Sequence, residues 1–275
     1  MSKWRVSLLI FMGILIIAGL AVRHSSRLAA INTTTKTCLV TGASSGIGKH
    51  LAIEMVKRGW TVVGIARRAE LLNQLSQKLG PTKFVPFVCD VSNREQVHAV
   101  SEKIKSQGLK PTLFFLNAGI GALEQKWQVS STHHQQTFAT NYLGNIALIE
   151  EWLLSTKQLG SGTFVAISSV TAFLALPASG AYAASKIALV HCFDALRRQY
   201  LHDNIGFSVV LPGPVDTDMF QGQIPFKHQA DDEARYIIDQ VFGGKKQIEP
   251  SWFYSVALRL ANLLPDAVIA KFLGS

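Results

Sequence analysis

From Lys36 onward the chain alternates short apolar runs with amphipathic stretches, and this alternation restricts the fold more than any other feature. The runs are Thr37 to Val40, Thr61 to Ala66, Phe84 to Cys89, Thr112 to Leu116, Thr163 to Ile167 and Phe207 to Leu211. Between them, helical spacing falls near 47–58, 68–79, 93–107, 133–156 and 180–202. Strands apolar on both faces need covering on both sides, so the pattern predicts an α/β fold: a doubly wound parallel sheet between two helical layers. Pro86 sits inside the third run and removes a ladder donor, which suits only an edge strand. The order 3-2-1-4-5-6 places the third strand at that edge. One domain over 36–275 accounts for every run, with no internal repeat.

The residues before that domain read differently. Val6 to Val22 is an uncharged apolar run of 17 residues, about 26 Å long as a helix, which is the short end of a membrane span. Trp4 stands where an interfacial aromatic would, and Lys3/Arg5 and Arg23/Arg27 mark the two ends. The expected organisation is therefore an N-terminal transmembrane anchor over 1–22, a polar linker over 23–35 and the α/β domain over 36–275. A cleaved signal peptide ending at Gly19-Leu20-Ala21 is the competing reading. A buried core helix fits poorly, because a polar linker follows instead of a packing partner. The linker carries a sequon, Asn32-Thr33-Thr34, relevant only in a secretory lumen.

The net charge of +9 raises the question of nucleic acid, and its distribution answers it. Four of the cations lie in the first 35 residues with no acid among them, and the rest form no stripe interleaved with aromatics. Non-specific phosphate binding needs clustered cations, so a nucleic-acid partner is not expected. Cys38, Cys89 and Cys192 are scattered and without a CxxC pair, which excludes a disulfide scaffold and a conventional zinc site. They read as core or half-buried small residues in a reducing compartment. Adjacent His133 and His134 cannot easily face one metal from a single helix and read as a solvated helix start, so no metal is expected.

The first strand leads directly into Thr41-Gly42-Ala43-Ser44-Ser45-Gly46-Ile47-Gly48 and then a helix. Glycines there let the backbone turn tightly and approach a pyrophosphate held by free N–H groups and the positive end of the helix. Such a turn after the first strand of a βαβ unit is the mark of a Rossmann-type dinucleotide site. The second strand ends in Ala66-Arg67-Arg68, where an NAD-selective site would carry a carboxylate for the ribose 2′-hydroxyl. Arginine suits a 2′-phosphate, so NADP is favoured over NAD. Asp90, directly after the third strand, is placed to accept from the adenine amino group, with an N-cap role as the alternative.

Tyr182 and Lys186 stand four apart on a helix and share a face, with Ser169 thirteen residues earlier at the end of the fifth run. A cation beneath a phenol favours the phenolate and tunes it to exchange a proton near neutral pH. Ser169, at a strand carboxyl end, could donate to a carbonyl oxygen that gains charge during hydride transfer.

Together these motifs resemble the short-chain dehydrogenases/reductases over Lys36 to Pro250, nearly the whole domain. The resemblance rests on the TGxxxGxG turn (Thr41 to Gly48), Asn117-Ala118-Gly119 after the fourth strand, Asn141 in the next helix, Ser169, the YxxxK pair, and Pro212-Gly213 with Thr217 after the sixth strand. It implies Tyr182 as general acid/base, Lys186 as the residue that lowers its pKa and holds the nicotinamide ribose, Ser169 as the carbonyl-polarising hydroxyl, and Asn141 as the helix-kinking support of a water relay. It also implies a cofactor site made by Gly42, Ser44, Ser45, Gly46, Ile47 and Gly48, by Asp90 and Val91, by Asn117, Ala118 and Gly119, and by Pro212, Gly213 and Val215. Thr217 is similar to the nicotinamide-amide contact and Arg67 to the 2′-phosphate contact. Leu116 departs from the pattern where the family often has a further asparagine. Ser168 could be mistaken for the catalytic serine, but the thirteen-residue offset selects Ser169.

After Pro212-Gly213, the stretch Pro214 to Gln229 mixes Met219, Phe220, Ile224 and Phe226 with polar residues and suits a lid over an apolar substrate. The tail from Trp252 to Leu273 has helical spacing broken at Pro265. It could pack on the domain, pair two copies as a homodimer or lie in the membrane interface. With the anchor, these features point to a lipid-soluble ketone or alcohol, and the resemblance extends to steroids and 3-ketosphinganine-type lipids. The cytosolic supply of NADP(H) places the catalytic domain on the cytoplasmic side of a single-pass anchor, an endoplasmic-reticulum lumen being the eukaryotic alternative. A catalytically silent NADP(H)-binding redox sensor at a membrane is the second function considered, and the intact Ser169/Tyr182/Lys186 set argues against it.

Overall fold

The computed structural model describes residues 31–121, 124, 129–219 and 227–273. The anchor expected at 6–22, most of the linker and the middle of the expected lid lie outside them. Among the described residues, no helix is long and apolar enough to cross a membrane.

Seven parallel strands form the sheet: β1 (Thr37–Thr41), β2 (Thr61–Ala66), β3 (Phe84–Val88), β4 (Leu113–Leu116), β5 (Gly162–Ile167), β6 (Ile205–Val210) and β9 (Gln247–Ile248), in the order β3-β2-β1-β4-β5-β6-β9. The expected order holds, and β3 is the edge strand, with Pro86 opposite Gly64 of β2. The short β9 adds a further edge beside β6. Strand geometry sends alternate side chains to opposite faces. Cys38, Val40, Leu113 and Phe115 accordingly join one core, with Leu51 and Met55 of helix α1 (Gly46–Lys57) and Ile237 and Ile238 of α7 (Ala230–Phe242).

Leu39, Phe114, Phe164 and Phe207 join the other core, against α3 (Arg94–Ser106), α5 (Gly144–Gln158) and α6 (Gly180–Gln199). Phe114, Phe164 and Phe207 stack across three neighbouring strands with ring centroids 4.5 and 5.4 Å apart. Helix α2 (Ala69–Leu79) completes the first βαβ unit, and the edge ring of Phe84 lies across β2 only because position 64 is glycine: a Cβ there would be 2.1 Å from Phe84 Cζ.

The helix expected over 133–156 is instead three pieces. Helix α4 (Ser131–Phe138) passes through a π turn (Ala139–Leu143) into α5. The cause is tertiary: the side chain of Asn141 in that turn is drawn out to the backbone of Ile120, while Gly144 admits the carbonyl of Val91, 2.7 Å from where its Cβ would be. π turns of this kind concentrate at functional sites. At the other end of the chain, α8 (Trp252–Ala261) and α9 (Asp266–Leu273) flank the break at Pro265. The Arg259 guanidinium lies 3.9 Å over the Phe173 ring and pairs with Glu249 at 2.6 Å, so the tail packs on the domain while Trp252, Phe253, Leu260 and Leu263 remain exposed.

Candidate active site

The carboxyl ends of β1, β4, β5 and β6 lie side by side along one edge of the sheet, the edge at which open α/β sheets carry their binding cleft. Its floor is built around Thr41 and Asn117. Thr41 Oγ1 accepts from the backbone N–H groups of Asn117 and Ala118, both at 2.9 Å, and Asn117 Nδ2 donates to the Thr41 carbonyl at 3.0 Å. The Asn117 amide then occupies space that side chains at the turn would need. A Cβ at Gly42 would lie 2.7 Å from Asn117 Nδ2, and one at Gly48 would lie 2.4 Å from it. Gly42 also has φ +66°, which L-residues rarely adopt.

Helix α1 begins just beyond, with no acid in its first turn and no side-chain cap from Ser45, so its first N–H groups are available to an anion. Ile47 lies in that first turn. Gly46, with φ +53°, lies against Thr217, whose Cγ2 would be 3.2 Å from a Cβ placed there. This cradle fits a pyrophosphate.

The two arginines at the end of β2 diverge. Arg67 Nη1 lies 3.7 Å from Asp90 Oδ2. Asp90 does not cap α3: its Oδ1 accepts from Ser92 N and Oγ, and Asn93 caps the helix by accepting from Gln96 N. Burial raises the Asp90 carboxyl, but its bonds to Ser92 and the nearby Arg67 outweigh that and hold it below the usual carboxylate range. Arg68, which sequence reasoning left without a role, reaches the glycine-rich turn. It donates from Nε and Nη2 to Ser44 Oγ at 3.1 and 3.0 Å, and from Nη2 to Ser45 Oγ.

At the opposite end, Ser169, Tyr182 and Lys186 converge. Ser169 stands beside the Tyr182 phenol, close enough to influence its titration, and its Oγ accepts from Thr171 N at 3.2 Å. Ser168 turns away, donating to the Lys186 carbonyl at 2.8 Å, so Ser169 is the serine that faces the site. Lys186 is buried, its Nζ donates to the Ile167 carbonyl at 2.8 Å and lies 5.4 Å from the Tyr182 ring centroid, and burial pulls its pKa down to about 8. The expectation of a lowered phenol is corrected here. Burial pushes Tyr182 above its ordinary value and the neighbouring Ser169 hydroxyl only partly offsets it, while the Lys186 ammonium is aimed at a carbonyl and not at the phenol oxygen.

Asn141 ties these parts together. Its Oδ1 accepts from Ile120 N at 2.8 Å, and its Nδ2 donates to the Ile120 carbonyl at 2.9 Å and to Ser185 Oγ at 3.0 Å. Ser185 in turn donates to the Tyr182 carbonyl at 2.7 Å. A Cβ at Gly119 would touch both Asn141 Oδ1 and Lys186 Nζ, at 3.3 and 3.4 Å. Asn145 Nδ2 reaches the Asn141 carbonyl at 2.6 Å and fills an acceptor in the π turn.

The far wall follows β6. Val170 N donates to the Pro212 carbonyl at 3.0 Å, Gly213 lies against Ser251, and Val215 and Asp216 form β7, which pairs with β8 (His228–Gln229). A cavity of about 290 Å³ lies nearby, lined by His228, Pro250, Ser251, Trp252, Phe253 and Tyr254. Met219 Sδ and Tyr182 Cδ2 meet across Gly121, at 3.3 and 3.6 Å from the position of its Cβ. His134 is not simply solvated: its Nε2 lies 2.8 Å from Glu124 Oε1. Cys38 and Cys89 are buried and Cys192 half-buried, as expected. Among the described residues, one group could offer three metal ligands, His98, Glu102 and Glu151 on the surface. The Lys105 ammonium already lies 2.8 Å from Glu102.

Residues 36–227 match the short chain dehydrogenase family. The chain is 32% identical over 253 residues to the 11-beta-hydroxysteroid dehydrogenase-like 2 protein of Arabidopsis thaliana, covering 86% of this chain and 80% of that one. It is 33% identical over 196 residues to retinol dehydrogenase 8 of Bos taurus, covering 69% and 62%. A short chain dehydrogenase of Burkholderia cenocepacia, solved in complex with NADP, superposes with a TM-score of 0.73 at 24% identity, over 87% of this chain and 97% of that one. The chain belongs to the short-chain dehydrogenase family and is an NAD(P)-dependent oxidoreductase acting on CH–OH groups.

Proposed function

We propose that the protein is a membrane-anchored, NADP(H)-dependent reductase that interconverts a ketone and a secondary alcohol on an apolar substrate. The observation that carries the chemistry is the convergence of Ser169 and the Tyr182 phenol, with the buried Lys186 ammonium 5.4 Å from the phenol ring. A raised phenol pKa keeps Tyr182 protonated near neutral pH, the state needed to donate to a carbonyl oxygen that gains negative charge during reduction. Ser169 donates to the same oxygen and stabilises its charge. Lys186, anchored on the Ile167 carbonyl, would hold the ribose of a bound nicotinamide cofactor, and Asn141 fixes α6 and the 117–120 segment at the spacing this needs.

A nicotinamide dinucleotide supplies or accepts the hydride when bound. Gly42, Ser44, Ser45, Gly46, Ile47 and Gly48 would hold its pyrophosphate end, Asp90 and Val91 the adenine, Asn117 to Gly119 the cleft floor, and Pro212, Gly213, Val215 and Thr217 the nicotinamide. The 2′-phosphate would meet Arg67 together with Arg68.

The apolar substrate is supported by Met219, which lies with Tyr182 beside Gly121, and by the exposed aromatic residues of α8. Relatives named for hydroxysteroid and retinol dehydrogenation are consistent with a lipid-soluble alcohol. The uncharged run at 6–22 supports a single-pass anchor, the catalytic domain being cytoplasmic. The intact Ser169, Tyr182 and Lys186 constellation weighs against a silent redox sensor. Purified protein is expected to oxidise NADPH faster than NADH with an apolar ketone; equal use of both would remove the assigned preference. Alkaline carbonate should release a variant beginning near Lys36 from membranes but leave the full chain bound, and release of both would exclude the anchor.

A further inference from the structure

The corner where β2 meets the glycine-rich turn contains more than a pair of cations. Both arginines there already face a carboxylate. Arg67 faces Asp90, and Arg68 Nη1 lies 3.7 Å from Asp218 Oδ2. We propose that Asp218 is a specificity-determining residue: it competes with the cofactor's 2′-phosphate for the Arg68 guanidinium and so tempers the preference for NADP over NAD. The proposal rests on the dinucleotide reading above and adds a residue to it.

The geometry supports it in three steps. A guanidinium presents five donors in one plane, and the bonds to Ser44 and Ser45 fix that plane at the mouth of the turn. The edge left over is the one a phosphate would take, since arginine binds such anions through paired donors. Asp218 faces that edge. It is held there by its neighbour, because Thr217 packs on Gly46 and presses the 215–218 segment onto the turn.

Charge then decides the direction of the effect. Arg67, Arg68, Asp90 and Asp218 sum to no net charge, so an arriving phosphate is attracted less than two arginines alone would attract it. A 2′-hydroxyl carries no charge and leaves the Arg68–Asp218 pair intact. Asp218 therefore costs affinity only on the phosphorylated side. Arg68 and Asp218 are 50% and 74% exposed, so the effect is modest and screened by salt.

The test needs no substrate. Calorimetric titrations of the full chain with 2′,5′-ADP and with 5′-ADP report the phosphate contribution directly. Asp218→Asn should tighten 2′,5′-ADP about two- to fivefold, with 5′-ADP changing less than about twofold, and the gain should shrink at high salt. In an Arg68→Gln background the same substitution should do nothing. An unchanged or weaker affinity of Asp218→Asn for 2′,5′-ADP, or an equal gain without Arg68, would overturn the competition. Equal affinity of the wild type for both nucleotides, alongside a gain in Asp218→Asn, would support the competition and count against the NADP preference instead.

Discussion

The two ends of the cleft obey different electrostatics. At the Tyr182 end, Lys186 is 4% exposed and Asn141 fully buried, and each is held by hydrogen bonds of 2.8 to 3.0 Å. At the end where β2 meets the glycine-rich turn, Arg67 and Arg68 are half-exposed or more, with ion pairs at 3.7 Å. Buried polar groups lose the whole of their solvation if a partner is removed, whereas exposed pairs exchange partner for water at little cost. Substitutions at the first end should therefore act on turnover and fold in large steps. Those at the second should act on cofactor choice in small, salt-dependent ones.

The largest effect is expected for Tyr182→Phe. Removing the proton donor should lower turnover by about a thousandfold or more while NADPH binding, followed by fluorescence, changes less than about threefold. If turnover fell only a few times, the contrast between the two ends would disappear.

Lys186→Met gives the next test, through pH. Folding pulls the lysine from its ordinary value down to about 8, so the folded chain releases a proton that the unfolded chain keeps. Its destabilising contribution is complete below about pH 8 and is relieved as pH rises from there towards 10.5. Wild-type stability should therefore gain on that of Lys186→Met between pH 7 and 9 in denaturant titrations. The buried thiols Cys38 and Cys89 are raised by burial, lose stability at higher pH and cancel in the comparison. A constant difference across that range would mean that the ammonium is not buried.

The smallest effects belong to the arginines. Arg67→Gln and Arg68→Gln should each weaken NADPH about three- to tenfold, leave NADH nearly unchanged and lose most of their effect at high salt.

The same contrast explains what could be read from the amino-acid order. Strand and helix positions were legible because core burial imposes periods of two and 3.6, and Pro86 even revealed the edge. The Ser169, Tyr182 and Lys186 constellation was legible because a strand end and a helix fix its spacing. What escaped depends on contacts distant in sequence. The π turn needs the Ile120 backbone to draw out Asn141, and β9 has two residues and no periodicity to display. The roles of Arg67 and Arg68 could not be separated, since adjacent side chains of one type differ only in which acid or hydroxyl each meets. The Glu124–His134 contact joins a loop to a helix and has no local signature.

The central claim is that the buried end delivers a proton through Tyr182 as hydride reaches a carbonyl carbon. Incubating full-length protein with NADPH deuterated at nicotinamide C4 and an apolar ketone, then analysing the alcohol by mass spectrometry, tests it most directly. The account predicts one deuterium on the carbinol carbon with the wild type and no labelled alcohol with Tyr182→Phe. Alcohol formed without deuterium, or labelled equally by Tyr182→Phe, would contradict it.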